Sequence, residues 1–460
     1  MSSRKRLVVL HLAGRYPLGG IGWQAVHYVL GLARLGHDVY YVEDSGAHPY
    51  DPRVKSVVED SSYSVAFLAD VMARFGLADR WAYVDGVTGA CHGLSRERLR
   101  DIYRDADGLL NVCGATQLKD EHLRCPVRVY VETDPVFEQI RVAEGDRRAI
   151  QALEEHTHHF TYGENLGQPD CPIPLEKFAW HTTRPPVIPE LWDARVNPAA
   201  ERFTTVATWK NVGKDVRFRG ETYYWSKHTN LLRVADLPSR TRQPLELALE
   251  VDDEATRDLL ARNGWLITDA FEASRDVTAY QRHIERSRGE FTVSKDLVAR
   301  TRSGWFSDRS VCYLAAGKPV VTQDTGFGKF VPTGLGLVAF STVEEAAAAL
   351  DEVNRDYARH CRAARGIAED LLRRRPGAGP ALPRGRSLAR AGLHPALRVG
   401  VAAVFPLQIN RSESTWQLAS PYATRAKAGQ SATTLEGCQI GRSAGEEAGQ
   451  AGLQAVRPRV

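Results

Sequence analysis

Long apolar runs are what this 460-residue chain most clearly lacks: Asp, Arg, His or Lys interrupts every candidate before the ~18–20 residues that a membrane-spanning helix needs. No transmembrane segment is expected. The basic, briefly apolar start MSSRKRLVVLHLAGRYP reads as a first buried strand, because Arg15-Tyr16-Pro17 is no small-residue cleavage site. Paired cysteines are lacking as well. The seven thiols (Cys91, Cys113, Cys125, Cys171, Cys312, Cys361, Cys438) form an odd set with no CxxC spacing and no His at metal-ligand intervals. Free thiols in a reducing cytosol, a cytoplasmic protein and no metal centre are the expectation. The dense run His156-Thr157-His158-His159 enters a strand, where successive side chains alternate faces and do not converge on one ion.

Charge is unevenly spread. The formal net charge is +4, yet from Arg373 onward 13 Lys and Arg stand against 4 Asp and Glu, so this tail carries +9 and the body −5. The tail is rich in Arg, Gly, Ala and Pro and has too little apolar periodicity to offset the entropy of ordering. Disorder is expected over 373–460, and the abrupt change of composition also fits a frame-shifted extension. Peripheral contact with an anionic membrane could run through this tail; nucleic acid is not expected, since the Arg residues lack interleaved aromatics.

The body has ordinary globular composition, 43% hydrophobic and 25% charged, and a length that implies two domains. Leu7–Leu12 is a continuous apolar run, as a strand buried on both faces requires. After a loop over 14–22 comes WQAVHYVLGLARLG at helical spacing, then a strand over 37–43. Further strands are expected at 108–113, 127–132 and 160–162. The segment 184–189 (RPPVIP) reads as a Pro-rich linker, after which strands at 203–207, 245–250, 265–268, 291–294 and 319–322 alternate with helical patterns. The fold class is therefore α/β, two doubly wound domains facing a cleft: 1–185, a linker 186–202, 203–372, and the tail 373–460.

Ligand-facing chemistry is expected at the strand ends. Gly19, Gly20 and Gly22 let backbone N–H groups approach a phosphate or sugar, the alternative being a plain helix-entry turn. With Glu43 at the end of the next strand they approximate a dinucleotide fingerprint, but Gly20 stands about eight residues past the strand, whereas in that fingerprint the first Gly follows the strand directly. In RFRGETYYWSKHTNLLR, Lys227 and Arg219 offer a point charge and a fork to a diphosphate, and Lys295 lies just past another strand. Glu132 and Asp134 close a strand at the crevice end, where either could take a proton from an acceptor hydroxyl or merely cap a helix. Glu164 and Asn165 could also face the cleft. Residues 302–327 supply a helix N-terminus flagged by Ser307, Asp308 and Ser310, with Arg309 among them, followed by a strand and the loop Asp324-Thr325-Gly326. Such an arrangement suits an anion.

Together GGIGWQAVHYVLGLARLGHDVYYVED and SDRSVCYLAAGKPVVTQDTG resemble glycosyltransferases of the GT-B fold, over about residues 5–372. The resemblance implies two Rossmann-like domains, a nucleotide-diphosphate sugar as donor substrate with no further cofactor and no metal, and a small-molecule or glycan acceptor. It places Ser307, Arg309 and Ser310 at the diphosphate and Thr325 and Gly326 near the donor sugar. The chain departs from the family's paired glutamates, which would fall at Gly304 and Cys312, so Asp308 is expected to hold the ribose instead. The same features leave open a nucleotide-sugar epimerase, a non-catalytic nucleotide-sugar-binding protein and an NAD(P) oxidoreductase.

Overall fold

A computed structural model describes residues 4–211 and 213–373, so the expectations for the tail beyond Arg373 lie outside the described residues. In chain order the first half contributes β1 (Arg6–Leu10), β2 (Asp38–Glu43), a small hairpin β3 (Tyr50–Asp51) and β4 (Ser56–Val57), then β5 (Trp81–Val84), β6 (Cys91–Gly93), β7 (Gly108–Val112), β8 (Arg128–Glu132), β9 (His158–Thr161) and β10 (Trp180–Thr182). Apart from the hairpin these form one sheet in the order β10-β9-β8-β7-β1-β2-β5-β6, parallel except where β6 joins β5. The second half contributes β11 (Phe203–Thr208), a hairpin β12 (Val216–Phe218) and β13 (Glu221–Tyr223), then β14 (Leu245–Glu250), β15 (Leu266–Thr268), β16 (Gly289–Thr292), β17 (Val320–Gln323) and β18 (Leu337–Phe340). Its parallel sheet runs β15-β14-β11-β16-β17-β18. Both are doubly wound, Rossmann-like sheets, as the GT-B resemblance implied. Strand order reverses between β1 and β7 in the first and between β11 and β16 in the second.

The sequence explains why these strands sit inside. Leu7 to Leu10 are all buried, the pattern of a central parallel strand covered by helices on both faces. One apolar cluster runs through both halves, joining Val9, Trp23 and Val29 to Trp192, Val277, Val298 and Val311. The helices Gly19–Arg34 and Val277–Arg286 cross closely: a Cβ at Gly19 would collide with Asp276 O, and one at Gly22 would lie 2.8 Å from Val277 Cγ1. Trp23 Nε1 donates to Val277 O at 2.8 Å and Trp305 Nε1 to Thr133 O at 2.8 Å, so indoles pin the halves from both sides. The Pro-rich connection is packed rather than loose, with Val187 and Ile188 buried and Ile188 N donating to His27 Nδ1 at 3.2 Å.

Candidate functional site: two adjoining cavities

Crevices in doubly wound sheets open at the carboxyl ends of strands where the order reverses. In the second half this point holds a cavity of about 440 Å³, lined by Val206, Ala207 and Thr208 of β11, by Leu249 and Glu250 of β14, and by Lys227, Lys295 and Arg309. Leu18, Ile21, Tyr50 and Lys55 close it from the first half. Arg309 is fixed across the switch point: its Nη1 donates to Val206 O at 3.0 Å, its Nη2 to Thr292 Oγ1 at 2.8 Å, and its Nε to Glu290 Oε1 at 2.6 Å. Lys227 is buried, and its Nζ forms no hydrogen bond or ion pair among the described residues. Burial, and then the Arg309 charge, push its pKa well below the usual lysine value. An anion entering the cavity would relieve both effects.

The first half holds a cavity of about 400 Å³, reached from Leu12 past β1 and Cys113 past β7 and lined by Gln24, Glu132, Asp134, Phe137, Trp225 and Asp308. Glu132 accepts from Gln139 Nε2 at 2.8 Å and Thr161 Oγ1 at 2.6 Å, while its Oε1 has no partner among the described residues. Burial raises it to about 8 against those two donors. Asp308 reaches over from the second half; burial raises it to about 7, the Gln24 amide pulls it back, and the Asp134 charge pushes it up again. The cavities share Ile21, and Lys295 of one donates to Asp134 Oδ1 of the other at 2.7 Å. Lys295 Nζ also lies 3.8 Å above the Trp225 ring centre.

The structure thus brings Lys227, Lys295 and Arg309 together around one cavity, and Glu132 and Asp134 around the other. Other expected residues are displaced. Asp308 lines the first-half cavity and not the one expected to hold ribose. Ser307 caps the helix Asp308–Ala315, accepting from Arg309 N at 3.2 Å, and Ser310 is buried and lines neither cavity. Arg219 stands exposed at the β12–β13 turn with its guanidinium over Phe218, since a two-residue hairpin turn carries it to the surface. Thr325 donates to Trp305 O, and Gly326 (φ 88°) packs against Arg302 O and Asn165. That loop belongs to a joint in which Asn165 Nδ2 donates to Arg302 O at 2.7 Å and Lys329 Nζ to Asn165 Oδ1 at 3.0 Å. Glu164 is tied to Arg184 there, at 2.7 Å from Nη2.

Gly19, Gly20 and Gly22 form the first turn of a helix, not a loop, and all three face the second half, against Asp276, Tyr280 and Val277. Glu43 accepts from Gly14 N, Tyr41 Oη and, at 2.8 Å, Arg15 N, so both its oxygens hold the loop after β1. The histidine run does not converge: His156 Nδ1 faces Ala152 O and His159 Nε2 faces Leu153 O, each at 2.8 Å. Sequence reading passed over Tyr50 and Glu250. The signal for Glu250 was a carboxylate at the end of a strand.

No protein-family model matches the sequence, and no curated protein does. Solved structures that it resembles include an alpha-glucosyltransferase in complex with UDP and a 13-mer DNA (TM-score 0.45, 11% identity, 80% of this chain and 95% of that one). Another is Anabaena Alr3699/HepE in complex with UDP (0.46, 10%, 79% and 94%), and a third is AviGT4, a glycosyltransferase involved in avilamycin A biosynthesis (0.40, 16%, 80% and 97%). What those proteins bind is theirs; the chemistry of this chain is read from its own cleft.

Proposed function

We propose that the chain transfers a sugar from a nucleoside-diphosphate sugar to the hydroxyl of a small-molecule or glycan acceptor, with protein cations in place of a metal ion at the diphosphate. One observation carries this reading: a cation-lined cavity and a carboxyl-lined cavity meet at the Lys295–Asp134 pair. The diphosphate lies against Lys227, Lys295 and Arg309, and the acceptor lies in the first-half cavity. As the acceptor oxygen bonds to the anomeric carbon, Asp308 takes its proton. The bond from that carbon to the diphosphate breaks, and the electron pair leaves with the nucleoside diphosphate, whose growing charge the three cations stabilise. A group held near 7 is well matched to this proton transfer. Asp134, tied to Lys295, positions the cation at the junction, and Glu132 supports the wall behind it.

The separate carboxyl cavity favours transfer over epimerisation, which needs no second substrate. A thermal-shift screen of nucleotide sugars should identify the donor by a raised melting temperature, and release of nucleoside diphosphate should then depend on adding an acceptor pool. Stabilisation by no nucleotide sugar would refute the reading, and isomerised donor without acceptor would convert it to epimerisation.

A further inference from the structure

Two positions that could hold the donor's nucleoside are unavailable to it. Asp308 faces the other cavity, and the Cys312 thiol is buried, 3.9 Å from His27 Nε2 and 3.2 Å from Asp308 O. Asp269 also lines the cavity, but it is exposed and its Oδ1 caps the helix Ala270–Ser274, accepting from Phe271 N at 2.6 Å and Glu272 N at 3.4 Å. Glu250 is the less exposed carboxylate of the lining. It ends β14 directly opposite Thr208 of β11, whose hydroxyl donates to its Oε2 at 3.1 Å. The Tyr50 phenol stands beside it and, after burial, is held up at about 12 by the charges of Glu250 and Asp252. Each carboxylate oxygen accepts two hydrogen bonds, so these hydroxyls leave capacity facing the cavity.

Position along the strands sets the reach. Arg309 holds Val206 O, two residues before Thr208, and Glu250 lies one strand across. Arg309 is also bonded to Glu290 and Thr292 of β16, on the other side of β11 from β14, so the guanidinium and the Glu250 carboxylate stand on opposite sides of β11 and both line the cavity. The cavity thus presents cations for the diphosphate and, in Glu250, an acceptor of hydrogen bonds, with Lys55 and Arg257 also in its lining.

Resting on the nucleotide-sugar reading, we propose that Glu250 is a specificity-determining residue that accepts a pair of adjacent donors on the nucleoside. Two groups present that chemistry: the ribose diol, and the N1–H and 2-amino edge of guanine. The test is calorimetric titration of the full chain with uridine, guanosine and inosine diphosphates and their 2′-deoxy forms, using wild type, E250Q and K227A. E250Q keeps an oxygen for Thr208, and an unchanged urea midpoint would show that it folds. Loss of charge-assisted bonds should weaken binding about ten- to hundredfold. If the diol is read, E250Q weakens the ribose forms of all bases and has little effect on the deoxy forms. If guanine is read, E250Q weakens only the guanosine forms, and inosine diphosphate binds wild type poorly. Nucleotide binding that K227A abolishes and E250Q leaves untouched would overturn this inference while sparing the transferase reading; no binding to wild type would overturn both.

Discussion

The crevice of the first sheet gathers Glu132, Asp134 and Asp308, whereas that of the second gathers Lys227, Lys295 and Arg309, although both open where a doubly wound sheet reverses its strand order. The backbone topology decides where each crevice lies, and the few residues just past the strand ends decide what it binds. Burial acts on both sets in the same sense, toward the neutral form: it raises Asp308 and Glu132 and lowers Lys227. The consequence differs between them. A neutral carboxyl near 7 is ready to exchange a proton with a hydroxyl, while a lysine short of charge partners is ready for an anion.

The largest effect expected from separating the two sides is that of Asp308→Asn, which should lower kcat by about 10²–10⁴-fold and leave nucleotide affinity within about twofold. Steady-state rates alongside calorimetry check this; an equal loss in affinity would move Asp308 to the donor side. Lys295→Ala removes the contact that joins the cavities and should weaken nucleotide binding about tenfold, with a further fall in kcat measured at saturating donor.

Changes of pH should act on the carboxyl side first. In wild type kcat should rise with pH through about 7 as Asp308 ionises, and this limb should vanish in the residual activity of Asp308→Asn. Stability should move the other way. Asp308 and Glu132 keep protons in the folded state up to about 7 and 8, whereas the unfolded chain releases them near the ordinary 3.8 and 4.5. The folded state binds more protons across that window, so stability declines as pH rises from about 4 to 8. Asp308→Asn should flatten the slope of melting temperature between pH 5 and 7. The smallest effect belongs to Arg219→Ala, an exposed change expected to alter stability by no more than about 0.5 kcal/mol and nucleotide affinity not at all.

The central strands of both sheets were legible because each is a short apolar or β-branched run, whereas β5, β6, β10, β18 and the two small hairpins were passed over; the switch points follow once helices are seen to alternate with the central strands. Lys227, Lys295 and Arg309 were legible for the same reason: they are cations just past strand ends or at a helix start that faces one. Asp308 was seen as a site residue and given the wrong cavity, because its surroundings, Gln24 and Tyr162, come from the other half of the chain. Gly19 and Gly22 look alike in sequence whether a phosphate or a neighbouring helix approaches them, and only the crossing with Val277–Arg286 decides for the helix. Thr325 and Gly326 were misplaced on similar grounds, since nothing local announces that Asn165 and Arg302 meet them. What pattern misses here is contact between residues more than a hundred positions apart.

The central claim, that the cation-lined cavity holds a nucleoside diphosphate, is tested most directly by titrating uridine and guanosine diphosphates calorimetrically into wild type and Lys227→Ala. Saturable binding by at least one nucleotide, with a loss of about ten- to hundredfold in the variant, is the predicted result. Binding that is unaffected by Lys227→Ala, or no binding of either nucleotide, would contradict it.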